Sequence, residues 1–248
     1  MTILKWVLLI ILSYALGNVS VARIISRIKK DDITKHGSGN PGTMNMIRTF
    51  GVGTGLLTLF FDCLKGALPA LAGYLLFMGE GIIMANTALY AAGLAVVFGH
   101  MYPVVYKFKG GKSVACALGI FCVANPILLV CVFCASILYL YFFDYGAVFS
   151  FIVLTICTAV EAISFQGNLA ISLLLAAMYF LIIFAHRKNI FRLLVGEENK
   201  VNLKKSLKKL LKKDRMKETK KEQKEKEKQE KILKKEEKKT EKSDKKRK

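Results

Sequence analysis

Charge is scarce where this 248-residue chain is apolar, and that scarcity fixes its class. Residues 1–199 hold only 14 Lys/Arg and 8 Asp/Glu, and the hydrophobic residues, 53% of the whole, come in long runs instead of alternating with charge. A soluble globular domain is excluded, and a polytopic membrane protein is indicated. Metal and disulfide patterns are also missing. Cys63, Cys116, Cys122, Cys131, Cys134 and Cys157 all fall in apolar stretches, and the tightest pair, Cys131 and Cys134, has neither a neighbouring His nor a second pair. All six are expected to be small buried hydrophobes, and neither metal nor cofactor is expected. The first apolar stretch, 6–16, lacks a convincing small-residue cleavage site and is followed by further spans, so it reads as a retained anchor rather than a signal peptide.

Stretches long enough to cross a hydrocarbon core of roughly 30 Å run near 3–24, 54–78, 82–101, 126–143, 147–163 and 169–185. A shorter apolar piece, 114–124, stops at Asn125 and Pro126, where proline forces a turn or kink; it would cover only about 16 Å as a helix. Twelve cations (Arg23, Arg27, Lys29, Lys30, Lys35, Arg48, Lys107, Lys109, Lys112, Arg187, Lys188 and Arg192) lie in three inter-helix segments. All three must share one face, which the positive-inside rule makes cytoplasmic; Lys5 is the exception. An even number of crossings must then separate the second segment from the third, so 114–124 has to supply a fourth beside the three long spans. The expected fold is an all-α integral membrane protein of seven transmembrane helices, with N-terminus out, C-terminus in and cytoplasmic-face motif loops.

Residues 200–248 carry 24 Lys/Arg against 10 Asp/Glu, a net +14. Within 200–214, Leu203, Leu207, Leu210 and Leu211 recur at helical spacing among lysines, the pattern of an amphipathic helix on anionic lipid. Residues 215–248, rich in Lys and Glu, have too few apolar residues to offset the entropy of ordering, so disorder or an isolated charged helix is expected. No aromatic is interleaved there to stack bases, so no specific nucleic acid is expected as a partner.

Three polar segments carry the chemistry. GSGNPGTMNMIR, 37–48, has far more hydrogen-bonding capacity than a turn requires. Its glycines free the backbone to approach an anion, Arg48 supplies fixed charge, and Ser38 can donate to a ligand oxygen. GHMYPVVYKFKGGKS, 99–113, ends like a nucleotide-binding P-loop, but Tyr106 stands where that motif needs glycine, and a membrane helix precedes it rather than a strand. Lys112, beside Gly110 and Gly111, reads as a phosphate ligand, whereas Lys107 and Lys109 suit anchoring at the membrane face. In the third segment His186 and Asn189 stand three apart on a continuing helix and share a face. Asp62 and Lys65, inside an apolar run, are expected to neutralise one another; Glu161 is expected to reach the interface, and His100 to orient the second loop.

Together the three segments, ending in HRKNIFRLLVGEEN, resemble the bacterial membrane glycerol-3-phosphate acyltransferases that use acyl phosphate as donor, the PlsY family, in the family's order and over residues 1 to about 199. The resemblance implies the seven-helix fold in a 1–199 acyltransferase domain. It further implies a site with Ser38, His186 and Asn189 as catalytic residues, and Gly37, Gly39, Asn40, Arg48, Gly110, Gly111 and Lys112 as substrate-binding ones. Glu198, which closes the third motif, is given a structural role. Ser113 stands where the family usually has glycine, and Thr43 where it often has alanine.

The implied reaction transfers an acyl group from acyl phosphate to the 1-hydroxyl of glycerol 3-phosphate, giving lysophosphatidate and inorganic phosphate, the first acylation of phospholipid biosynthesis. The implied partners are these two substrates, membrane lipids and, functionally, the enzyme that makes acyl phosphate; the implied location is the cell membrane, with the active site on the cytoplasmic face. Direct transfer is expected, because no sequence-adjacent base marks Ser38 as an activated nucleophile. The alternative, a transporter of organophosphates or other anions, would place its polar residues near the bilayer midplane and show an inverted repeat; here they cluster at one interface and no repeat is evident.

Overall fold

The structure, a computed structural model, describes residues 2–202, 204–206, 208–212 and 223. Ten α-helices follow in order within the first compact unit: α1 (Thr2–Gly17), α2 (Val21–Ile28), α3 (Thr43–Phe50), α4 (Val52–Phe77), α5 (Ile82–Met101), α6 (Val114–Ala124), α7 (Pro126–Phe143), α8 (Gly146–Ser164), α9 (Leu169–Ala185) and α10 (Arg187–Leu194). Five stretches are long and apolar enough to cross a membrane: Thr2–Ile28, Val52–Glu80, Ile82–Tyr106, Pro126–Phe143 and Gly146–Ser164. Helix α9, bent by 55° from α10, brings the number among the described residues to six where the bent pair is taken as one span, and α6 has only 11 residues. The first span is not one helix through residue 24. It breaks after Gly17, and α2 starts afresh at Val21, carrying Arg23 and Arg27.

The helices pack through small residues, as expected where lipid removes the hydrophobic drive and only close contact attracts. A Cβ on Gly119 would collide with the Cys63 backbone, and one on Gly66 with the Cys116 backbone, so α4 and α6 touch main chain to main chain at two levels. Gly17 and Gly99 oppose each other in the same way where α1 crosses α5. Large apolar side chains such as Leu4, Phe60, Ile127, Phe142 and Phe180 point outward, as a lipid-facing surface requires. Cys116 and Cys157 are buried, but Cys122, Cys131 and Cys134 face outward as well, so the uniform burial expected for cysteines holds for only part of the set.

Two buried polar clusters brace this assembly. Lys65 donates to Val19 O at 2.6 Å and to His100 Nδ1 at 2.8 Å and pairs with Asp62 Oδ1 at 2.8 Å, joining the α1–α2 break, α4 and α5. Glu161 does not reach an interface. It is 3% exposed and accepts from Tyr90 Oη at 2.5 Å and Asn125 Nδ2 at 3.1 Å, while Asn125 Oδ1 caps α7 by accepting from Leu128 N. An unpaired carboxylate is costly in an apolar interior, and two donors compensate it better than a distant surface would. Lys5, the exception to the charge rule, pairs with Glu80 at 3.5 Å.

In the second unit, 204–206 and 208–212 are helical, with Leu210 half-buried and Leu211 exposed. Leu203 and Leu207, half of the expected apolar stripe, lie outside the described residues, as do 215–248 apart from Gln223.

Candidate active site

The first polar loop is built around Asn45, on α3. Its Oδ1 accepts from Ser38 N at 3.1 Å, and its Nδ2 donates to His36 O at 2.9 Å and Ile33 O at 3.3 Å. Gly37 sits against this amide at φ +54, where a side chain would be strained and would meet Asn45 Oδ1. The loop is thereby held with Ser38 and Asn40 on a shared wall, and α3 brings Arg48 one turn further on.

In the second loop, Gly111 N donates to His100 O at 3.0 Å and Gly110 N to Met101 O at 3.1 Å, folding the chain back over the end of α5. Any Cβ on Gly111 would strike the His100 imidazole, whose far side holds Lys65. These glycines therefore serve close packing: the Gly110 and Gly111 amides are committed inside the loop, and so is Gly39 N, which donates to His36 O at 2.9 Å. Lys112 emerges immediately after. Ser113 follows at φ +62 and donates to Val97 O at 3.0 Å; the left-handed backbone accounts for a preference for glycine here, and the hydroxyl bond holds serine in its place.

The α9–α10 bend supplies the third set. His186 Nδ1 lies 2.8 Å from Ile182 O, an acceptor only, so Nδ1 carries the proton and Nε2 is the acceptor of the neutral ring. Lys112 Nζ donates to Asn189 Oδ1, Asn189 Nδ2 donates to Glu198 Oε1 at 2.6 Å, and Arg192 Nε donates to Glu198 Oε2 at 2.9 Å. Glu198 fixes which way the Asn189 amide faces. Burial pushes the Lys112 ammonium down to about 8, against the opposing pull of Glu198. Burial also lowers Arg48, which at this basicity stays charged. Arg48 donates to Asn199 O at 2.8 Å and Lys200 O at 3.0 Å, and Val201 is buried beyond it with its N–H on Asp144 O at 2.9 Å.

All three sets line one cavity of about 340 Å³. Ser38, Asn40, Arg48, Lys112, His186 and Asn189 reach it; Gly37, Gly39, Gly110 and Gly111 do not, packing instead as tight backbone turns behind the polar wall. From the helix interiors Leu56, Leu118, Phe133, Ile137 and Phe149 make the rest of the lining apolar. Arg192 and Glu198 also line it, with Asp62 and His100 behind Lys112. Asn45 and Arg192 cannot be singled out from the sequence: Asn45 is one of two asparagines in its motif, and Arg192 looks like one more interfacial cation.

Residues 7–196 match the model of the glycerol-3-phosphate acyltransferase family. The chain belongs to that family. The glycerol-3-phosphate acyltransferase of Halalkalibacterium halodurans is 37% identical over 207 residues, 82% of this chain and 98% of the relative, and that of Aquifex aeolicus is 35% identical over 199 residues, 79% and 100%. Among solved structures, the chain is similar to PlsY, an integral membrane glycerol 3-phosphate acyltransferase, in its glycerol 3-phosphate form (TM-score 0.72, 33% identity) and its lysophosphatidic acid form (TM-score 0.70, 33% identity). Each covers 79% of this chain and 95% of that one. This chain is thus an integral membrane acyltransferase of glycerol 3-phosphate.

Proposed function

We propose that the acyl donor is acyl phosphate, and that the chain joins its acyl group to the 1-hydroxyl of glycerol 3-phosphate, releasing inorganic phosphate and 1-acyl-glycerol 3-phosphate. One observation carries this reading: Arg48, Lys112, His186 and Asn189 converge on a cavity whose remaining walls are Leu56, Leu118, Phe133 and Ile137. A single space with anion ligands at the helix ends and hydrocarbon walls within the helices suits a reactant that joins a phosphate to a fatty chain. That PlsY has been solved in glycerol 3-phosphate and lysophosphatidic acid forms supports the acceptor and the product.

An acyl phosphate is already activated, so positioning and electrostatics can carry most of the rate. Arg48 and Lys112 bind the substrate phosphates; Ser38, Asn40 and Asn189 orient the reacting groups and stabilise the oxyanion. The glycerol oxygen attacks the acyl carbon and the acyl carbon–phosphate oxygen bond breaks. His186 Nε2 accepts the hydroxyl proton as the bond forms and returns it to the departing phosphate. No covalent step through Ser38 is needed. Gly37, Gly39, Gly110 and Gly111 act on substrate indirectly, by holding these loops.

The seven-crossing topology, with α6 as the short fourth crossing, N-terminus out and the site on the cytoplasmic face of the cell membrane, follows from the charge distribution. Purified chain in lipid, given glycerol 3-phosphate with either palmitoyl phosphate or palmitoyl thioesters, should turn over the phosphate donor alone. Turnover of a thioester with none of acyl phosphate would overturn the donor assignment.

A further inference from the structure

A second cleft, of about 380 Å³, lies on the other side of the same two loops, and the reaction leaves it unused. Arg23 of α2, Thr34 of the first loop and Tyr106, Lys107 and Lys109 of the second line it. It shares none of these residues with the catalytic cavity. Three cations and no acidic residue line the cleft. The carboxylate whose charge acts on Arg23 from nearby, Asp32, is engaged by the Thr34 amide at 3.0 Å and hydroxyl at 2.8 Å.

Arg23 is fixed in place, unlike the mobile side chains of an ordinary basic face, and the exposed Lys107 and Lys109 are set beside it by the backbone of their turn. The Arg23 guanidinium lies over the Tyr106 ring, 4.5 Å from its centroid, and donates through one terminal nitrogen to Lys109 O at 2.7 Å; its Nε is shielded from solvent and has no partner. Arg27 approaches the same ring at 5.7 Å. Lys107 and Phe108 are consecutive non-glycine residues at φ +53 and +58, a costly conformation. It is maintained by Phe108 N on Pro103 O at 2.9 Å and Lys109 N on Tyr106 O at 3.1 Å. The turn sets Lys107 and Lys109 at the cleft while Val104, Val105 and Phe108 are 56%, 65% and 59% exposed beside them.

Those three apolar side chains stand just past Met101, the last residue of α5, at the end of the apolar stretch Ile82–Tyr106. At that depth they enter the acyl boundary and the adjoining cations meet phosphates, the arrangement of an interfacial lipid contact. We propose that this cleft is a second anion site, which takes the phosphate of an anionic phospholipid headgroup and braces the second loop, part of the catalytic wall, against α2. Arg23 with Lys109 O already links α2 to the second loop; a bound phosphate would add Lys107 and the Lys109 ammonium to that link.

The test compares full-length wild type with R23Q/K107Q/K109Q and with K29Q/K30Q/K35Q, which removes the same charge from exposed positions outside the cleft. Each protein is placed in phosphatidylcholine nanodiscs with or without phosphatidylglycerol, and the phosphatidylglycerol retained after detergent exchange is counted by native mass spectrometry. The cleft variant should retain it about a hundredfold less well than wild type, at roughly a factor of five for each of three cations, and the control should match wild type. Equal loss in both variants would reduce the cleft to general surface charge and overturn the proposal. A separate arm measures the KM for soluble glycerol 3-phosphate in phosphatidylcholine alone, where it should be unchanged in K107Q/K109Q, which keeps the Arg23 link to the second loop. A raised KM with lipid retention intact would reassign the site to soluble phosphate and also overturn the proposal. K107Q/K109Q, which leaves the Arg23 stack on Tyr106 whole, repeats the comparison should the triple variant not fold.

Discussion

Glu198→Gln isolates the orienting role of a residue that is not assigned any contact with substrate. The Glu198 carboxylate accepts from Asn189 Nδ2 at 2.6 Å and from Arg192 Nε at 2.9 Å, one donor on each oxygen. Glutamine keeps one acceptor and sets an amide N–H against the other donor, so either Asn189 or Arg192 must turn away. Hydrogen bonds to charged groups contribute about 1.5–3 kcal/mol, so losing the orientation should cost about 2 kcal/mol, roughly a 30-fold fall in kcat/KM. The pH profile provides an independent readout. Lys112, lowered to about 8 by burial, binds phosphate as the ammonium, so kcat/KM should hold below that pH and fall as pH rises through it. Removing the Glu198 charge takes away what favours the ammonium, so the alkaline limb should move to lower pH. Initial rates of phosphate release across pH, at limiting glycerol 3-phosphate, measure both effects. A folded Glu198→Gln protein with wild-type kcat/KM and an unmoved alkaline limb would refute the chain Lys112–Asn189–Glu198.

Lys65→Met should lower stability by about 3–5 kcal/mol by leaving Asp62 buried and unpaired, and Asp62→Asn/Lys65→Met should recover much of it; thermal unfolding in detergent separates the two. Ser113→Gly relieves a left-handed residue at about 1–2 kcal/mol and loses a hydrogen bond to Val97 O of about 1 kcal/mol, so the melting temperature and activity should stay close to wild type. A chain ending at residue 202 should keep full activity, whereas one ending at 198 should lose much of it, because Arg48 then lacks its two carbonyl partners and the buried Val201 is gone. Turnover by the two truncations, purified in the same lipid, checks this.

The helical spans and the grouping of three motifs were legible because both are written in local composition: apolar runs have a length, and Ser38, Arg48, Lys112, His186 and Asn189 stand in short polar islands. What those islands do to one another was not. That Gly110 and Gly111 pack on His100 instead of offering amides depends on how the second loop folds over α5, which spacing does not encode. Glu161 misled because a carboxylate near a helix end looks interfacial until Tyr90 and Asn125 arrive from 71 and 36 residues away. The break after Gly17 has the same origin, since Val19 O turns toward Lys65 only in the assembled bundle. The contacts of Lys200 with Arg48 and of Val201 with Asp144 likewise have no composition shift to announce them.

The central claim is that one composite site joins the two substrates, and the most direct measurement is the stoichiometry of the reaction. Purified chain in lipid, given palmitoyl phosphate and glycerol 3-phosphate, should form lysophosphatidate and inorganic phosphate in equal amounts, with both products lost together in Arg48→Ala and in Asn189→Ala. Phosphate release without lysophosphatidate, or full activity in either variant, would contradict it.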